Sequence, residues 1–242
     1  MVITIPSFVG ARPGVQHFFG TRHEASKPVW SAQVVVSVKQ VHGTDVLVVD
    51  RALAGARIFD GGWDALVTDQ PGVLLTVRTA DCVPVLMHDP IRGVVAAVHA
   101  GWRGAVAGIV PQTVAVMAKR FGSQPASLRV SIGPSVGSCC YEVDEPVLSR
   151  LRASYADWQS LVQETGPGTA KLNLRGLVRG QARSAGVRED DIHSVSLCTI
   201  CHPALFHSYR RDGTARSTMV SGIMLAPRRR APRPVRRKRR AD

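Results

Sequence analysis

"VVAAVHAGWRGAVAGIVPQTVAVMAKRFG", residues Val94 to Gly122, carries two periodicities in one stretch. Its first five residues are small or β-branched, the composition of a buried strand. The strand stops at His99, where burial would favour another aliphatic, and turns through Ala100-Gly101-Trp102-Arg103-Gly104. From Ala105 the apolar residues recur at helical spacing, and Gly122 stands where a left-handed C-cap closes a helix. A strand that ends on an imidazole and turns straight into a helix needs partners elsewhere in the chain.

Outward from this stretch the pattern is strand-rich. "AQVVVSVKQVHGTDVLVVD" reads as two strands, Gln33 to Val41 and Val46 to Val49, joined by a tight His-Gly-Thr-Asp turn. "DALVTD" and "GVLLTVRTADCVPVLMHD" read as further strands, with Pro84 marking an irregularity or an edge. "SLRVSIGP", "HSVSLCTIC" and "STMVSGIML" add three more. Helical spacing appears in "DEPVLSRLRASYADWQSLVQ" and "NLRGLVRGQARSAGV". Hairpins mixed with helices predict an α+β layered fold. No composition shift or repeat divides residues 1–226, which are expected to form one catalytic domain.

The net charge of +13 is concentrated at the end of the chain. "RRRAPRPVRRKRRAD" carries nine basic residues between Arg228 and Arg240, so the preceding body is only mildly basic. A proline-interrupted arginine run cannot bury enough surface to fold, and 227–242 are expected to be a disordered tail. Such a tail binds nucleic acid non-specifically by counterion release, which gives a non-enzymatic alternative for the protein. Five cysteines, without a recognisable export signal in "MVITIPSFVG", point to reduced thiols. No apolar run approaches the ~18 residues of a membrane span, so a cytoplasmic protein without a membrane partner is expected.

Three apolar strands end on residues that bind metals: Val-His42-Gly, Ala-Asp81-Cys82 and Val-His99-Ala. Their separations exclude a local knuckle but suit neighbouring strand ends converging on one point. Two imidazoles and a thiolate make a first shell for Zn²⁺ that leaves a position open, as catalytic sites do. Gly101 to Gly104 open the helix, where backbone N–H groups and Arg103 can meet an anion. "FFGTR" and "SYRRDG" add Arg22, Arg210 and Arg211; any one of them alone reads as a surface ion-pair residue. Asp81 is expected either as an acid or base or as the cap of a local turn.

The segments "QVHG", "DALVT", "ADCVPVL", "VAAVHAGWRG", "IGPSVGSCCYEV", "CT" and "SYRRDG", in this order, strongly resemble the YfiH/YlmD family. Its members are named laccase-domain proteins, polyphenol oxidases or purine nucleoside phosphorylases. The resemblance runs from about Phe18 to Arg216. It implies a layered α/β/β/α fold with two packed mixed sheets, similar to the cytotoxic necrotizing factor catalytic domain. It also implies zinc ligands at His42, Cys82 and His99; with Asp81 as read above, Cys82, His99 and Asp81 are the candidate catalytic residues. After "FGTR" this chain is shorter than its relatives, so one wall of the pocket is expected to differ.

The implied activity is phosphorolysis of adenosine, inosine, guanosine or methylthioadenosine, with deamination of adenosine as a second activity. Phosphate would be held by Arg22, Arg103, Arg210 or Arg211, whose guanidinium forks match its oxygens. The H-x-E and P-C-x-x-C signature of nucleobase deaminases is absent, so deamination would use a different scaffold. Relatives described as peptidoglycan editing factors imply an alternative, a Cys82/His99 amide hydrolase that removes L-serine from a UDP-muramic acid precursor. Multicopper oxidation is not expected, since eight histidines without a His-x-His pair are too few for its copper sites. Copper remains an adventitious occupant of the zinc site.

"CTICH", Cys198 to His202, matches a haem-attachment pattern, but haem attachment requires export. A four-cysteine zinc site from Cys139, Cys140, Cys198 and Cys201 is disfavoured by the adjacent pair. These residues are expected to be buried small hydrophobes.

Overall fold

The fold is that of a computed structural model, which describes residues 1–9, 14–23, 32, 34–51, 53, 58–214 and 217–227. In chain order it begins β1 (Val2–Ile3), α1 (Pro6–Val9), β2 (Val15–Gly20), β3 (Val34–Lys39), β4 (Val46–Val48), β5 (Ile58–Gly62) and β6 (Ala65–Thr68). There follow β7 (Val73–Thr79), β8 (Val83–Asp89), β9 (Val94–Ala100), α2 (Trp102–Val106), α3 (Ile109–Phe121) and β10 (Arg129–Ile132). The last third holds β11 (Glu142–Val143), α4 (Glu145–Ser154), β12 (Val162–Gly166) and β13 (Thr169–Leu172). It closes with α5 (Leu174–Ser184), β14 (Ile192–Ser194), α6 (Tyr209–Asp212) and β15 (Met219–Leu225).

Two six-stranded mixed sheets pack on each other, ordered β1-β2-β15-β7-β3-β5 and β14-β10-β8-β9-β6-β4. β11, β13 and β12 form a small third sheet. Every residue of β8 and β9 is buried, because both faces of the second sheet are covered. Period-two alternation sorts their side chains. Val83, Val85, Met87, Val94, Ala96 and Val98 join Ile109, Val114 and Met117 of α3 and Leu177 and Val178 of α5 in one core. Leu86, Val95 and Ala97 point the other way, into a second core with Phe19, Val36, Leu75 and Ile223 of the first sheet. His99 follows Val95 and Ala97 in that alternation and is the last residue but one of β9.

Four local readings differ from the structure. β3 and β4 are not a hairpin: β3 runs parallel to β7 in the first sheet, and β4 runs parallel to β6 in the second. The segment between them crosses from sheet to sheet, and Gln40 holds it by bonding both N–H and carbonyl of Arg78. The helix after β9 is broken, because Gly108 at φ 92° separates α2 from α3; its C-cap at Gly122, φ 70°, is as expected. The helix from Glu145 stops at Ser154, and Val162 begins a strand. Pro84 lies inside an interior strand; its carbonyl accepts from Gly133 just beyond the end of β10, so its missing N–H faces Gly133 and not the ladder to β9.

The basic run 228–242 lies outside the described residues, as do most of "HEASKPVWSAQ" and the Ala215-Arg216 pair. No helix among the described residues is long and apolar enough to cross a membrane.

Candidate active site

β8 and β9 are antiparallel, with Val83 opposite Ala100, so the residues just outside that rung, Cys82 and Gly101, meet at one end of the hairpin. The crossing segment 40–45 passes over the same end. One ligand atom each from His42, Cys82 and His99 lies within 4.8 Å of the others. Cys82 Sγ is 3.7 Å from His42 Nε2, and the two imidazoles meet edge to face with centroids 4.8 Å apart. His42 is exposed, Cys82 half-buried and His99 buried, so the cluster opens to solvent on one side.

Asp64, which immediately precedes β6 and is fully buried, organises this cluster. Its carboxylate accepts the backbone N–H groups of Val41 at 3.2 Å, His42 at 3.0 Å and Gly43 at 2.7 Å. It also sits 2.7 Å from His99 Nδ1, which leaves Nε2 as that ring's free nitrogen. His42 has φ 63°, the one positive value for a described residue other than glycine. That conformation is disfavoured for a side-chain-bearing residue, and the three bonds to Asp64 hold it.

The charges reinforce one another. Burial alone would push the Cys82 thiol up, but hydrogen bonding and charge from His42 and His99 outweigh it and bring the pKa down to about 6. Burial would lower His99, but the Asp64 hydrogen bond and the Cys82 sulfur raise it to about 9. Burial likewise opposes ionisation of Asp64, yet His99 and the backbone donors hold it below the usual carboxylate range.

The glycines of "AGWRG" are there for close approach. A Cβ on Gly101 would lie 2.4 Å from His42 Cδ2 and 3.2 Å from Cys82 Sγ; one on Gly104 would lie 2.5 Å from the Gly43 carbonyl oxygen. The turn after His99 therefore has to present bare backbone to the His42 segment.

The cluster forms the floor of a cavity of about 510 Å³, within the range of small-molecule sites. Val38, Trp102, Val136, Tyr141, Leu174 and Tyr209 supply its apolar and aromatic wall. Arg78, Arg103 and Arg210 supply cations, and none of the three forms an ion pair among the described residues. Arg103 lies over the Trp102 ring and Arg210 over the Tyr141 ring, at 4.5 and 5.5 Å from the centroids.

The remaining expected residues sit differently. Arg22 does not line the cavity and donates to the Pro203 carbonyl. Arg211 does not line it either: its guanidinium bonds the carbonyls of Thr199 and Phe206 and the carboxylate of Asp212. Asp81 borders the cavity but is buried, with Oδ1 accepting from Thr199 Oγ1 and Oδ2 from Ser208 Oγ and Arg210 N–H. That is the geometry of a residue tying three segments together.

Asp64 and Arg78 were missed from the sequence, although "DALVT" marked the motif that Asp64 opens. The family described as multi-copper polyphenol oxidoreductase laccase matches residues 21–226. The chain belongs to that family. Within this laccase family, it is 39% identical over 194 residues to purine nucleoside phosphorylase YlmD of Geobacillus stearothermophilus, covering 78% of this chain and 71% of the relative. It is 42% identical over 184 residues to a purine nucleoside phosphorylase of Streptomyces coelicolor, covering 74% and 71%. The crystal structure of Geobacillus stearothermophilus YlmD superposes with a TM-score of 0.81 at 30% identity, over 92% of this chain and 94% of that one. That of Bacillus licheniformis hypothetical protein YfiH gives 0.78 at 30% identity, over 87% and 92%. The family expected from the motifs and the two packed mixed sheets expected from it are both found.

Proposed function

We propose that this chain is a zinc-dependent purine nucleoside phosphorylase acting at the His42–Cys82–His99 cluster. The observation that carries the reading is the convergence of these three donors, oriented by Asp64, on the floor of a cavity with unpaired arginines and aromatic walls. It is supported by relatives at 39% and 42% identity that carry the phosphorylase name. Two imidazoles and a thiol of lowered pKa fit Zn²⁺, with a fourth position left for substrate. Zinc there would supply Lewis-acid polarisation of a substrate oxygen.

The chain's own residues supply the rest. In phosphorolysis a phosphate oxygen bonds to the anomeric carbon of the ribose as the C–N bond breaks; that bond's electron pair leaves with the purine, which takes up a proton from water or the phosphate. Arg103 and Arg210, with Arg78, hold the phosphate and offset its charge so that it can approach. Tyr141, Tyr209 and Trp102 offer flat surfaces for the base. Asp81 acts through Arg210, fixing the backbone that carries that guanidinium.

Product analysis by HPLC tests this, using zinc-loaded protein with adenosine or inosine, with and without phosphate, beside Cys82→Ala. Phosphate-dependent release of free base that disappears in Cys82→Ala is expected. Inosine formed from adenosine without phosphate would assign the deaminase activity as well. No turnover of either nucleoside would overturn the proposal.

One observation favours a second reading. Without metal, Cys82 lowered to about 6 beside His99 raised to about 9 describes a thiolate–imidazolium pair, the resting form of a Cys/His amide hydrolase. Release of serine from UDP-muramoyl-L-serine by chelator-treated protein would establish it, and release only after zinc addition would eliminate the metal-free pair.

A further inference from the structure

A second set of soft donors lies apart from the site just described. Cys139, Cys140, Cys198 and Cys201 place their sulfurs within 4.8 Å of one another. Cys139 and Cys201 are exposed and Cys140 half-buried, so the expectation of four buried hydrophobes does not hold. The objection from the adjacent pair fails as well. The Gly137 carbonyl accepts from the N–H groups of both Cys140 and Tyr141 at 3.0 Å, and this tight turn swings both side chains to one side. Cys139 Sγ and Cys140 Sγ then lie 3.6 and 3.4 Å from Cys201 Sγ.

Those spacings discriminate between two chemistries. A tetrahedron with Zn–S bonds of about 2.3 Å has edges of about 3.8 Å. A disulfide needs about 2.05 Å. Cys139 and Cys140 stand near that edge length from Cys201, and too far from it for a disulfide.

The surroundings of Cys198 agree. Its sulfur receives backbone N–H groups from Gly137, at 3.3 Å, and from Ile200 and Cys201. Three donors aimed at one sulfur suit a thiolate with several lone pairs, and Cys198-Thr199-Ile200-Cys201 has the C-x-x-C spacing of a metal knuckle. Arg175, fixed by the carbonyls of Val195 and Leu197, places its guanidinium beside Gly137 and Cys139 and offsets negative charge there.

We propose that Cys139, Cys140, Cys198 and Cys201 form a second metal site that holds a structural Zn²⁺ through four thiolates. All four positions are filled by protein, so the ion has no open place for substrate. Its role is to reinforce the join between two loops that meet at the Ser135–Cys198 bridge, at the Gly137 N–H bond to the Cys198 sulfur and at neighbouring backbone bonds. One loop leads into Tyr141 of the cavity wall; the other carries Thr199, the partner of Asp81. The ion staples the part of the cavity wall that holds Tyr141.

Native mass spectrometry of the full chain carrying His42→Ala and Cys82→Ser, loaded with zinc under reducing conditions, tests this independently of the first site. One tightly held zinc ion is expected, and adding Cys139→Ser and Cys201→Ser, both at exposed positions, should release it. Failure to hold any ion overturns the proposal, as does an ion that survives both serine substitutions. A second measurement leaves the four cysteines intact: Co²⁺ in the His42→Ala/Cys82→Ser protein should give a thiolate-to-cobalt charge-transfer band. Absence of that band, or a disulfide among the four in peptide maps of protein alkylated at lysis, overturns the assignment.

Discussion

The Asp64 carboxylate lies 2.7 Å from His99 Nδ1 and, through the same oxygen, 3.0 Å from the backbone N–H of His42. One buried acid therefore sets the tautomer of one imidazole and the backbone conformation of the other. Asp64→Asn should weaken zinc binding by about 10–100-fold, the scale for outer partners of metal-bound histidine. Its amide also places N–H donors among backbone N–H groups, which should destabilise the fold by about 1–3 kcal/mol. Chelator competition and urea unfolding of the same preparation read the two effects. Unchanged zinc affinity would show that His42 and His99 hold their places without Asp64.

Two glycines make a matched pair. Gly101→Ala puts a methyl group into His42, 2.4 Å from Cδ2, and should reduce kcat/KM by about 10²-fold or more. A methyl group on Gly180, inside α5, would meet nothing within 4 Å, so Gly180→Ala should raise stability by about 0.5–1 kcal/mol and leave activity unchanged. Steady-state kinetics beside thermal unfolding separates the two; equal activities in both variants would remove the role given to Gly101.

The arginines divide into two groups. Arg103→Ala and Arg210→Ala should each raise KM for phosphate about tenfold or more, because a charge-assisted hydrogen bond contributes about 1.5–3 kcal/mol. Arg211→Ala should instead lower the unfolding midpoint, since its guanidinium holds the Thr199 and Phe206 carbonyls. Phosphate titration at saturating nucleoside measures the first, and urea titration the second.

Acid sensitivity should come from two histidines outside the site. Burial lowers both His17 and His88 to about 4, and His17 Nε2 accepts the Ile5 N–H, a bond open only to the neutral ring. Below about pH 6.5 the unfolded chain takes up protons that the fold refuses. Stability should therefore fall as pH drops from 6.5 toward 4 on account of the histidines, and Asp64, held below the usual carboxylate range, extends the fall to lower pH. Each histidine contributes a slope of up to about 1.4 kcal/mol per pH unit in this window. His88→Gln should flatten the slope by about that amount in urea titrations at pH 7, 6 and 5; an unchanged slope would place the acid sensitivity elsewhere.

The sequence made the three donors legible because each stands at the end of an apolar run, and strand ends are where a sheet gathers side chains. Asp64 was hidden by the same logic, since an acid before "ALVT" looks like an ordinary turn residue. His-Gly-Thr-Asp imitates a hairpin turn, and nothing local shows that its flanking strands belong to different sheets. Gly108 sits in an unbroken apolar pattern, so its positive φ left no trace in the spacing. The four cysteines are about 60 residues apart in two pairs, and only a bent backbone at Gly137 makes neighbours converge. Patterns report periodicity well; they do not report which distant segments a buried carboxylate or a tight turn will bring together.

Part of the cavity wall comes from segments that carry none of the three donors. His99, Cys82 and Asp64 belong to the second sheet and its connections, whereas Val38 belongs to the first sheet, and Tyr141, Leu174, Tyr209 and Arg210 to later segments. The side chains of Val38, Leu174 and Tyr209 form no hydrogen bond with His42, Cys82 or His99, so exchanging them leaves the donors' own bonds in place. The reacting centre can stay fixed while the range of admitted substrates drifts, which makes this scaffold a natural starting point for retargeting by substitutions at Val38, Leu174 and Tyr209 alone.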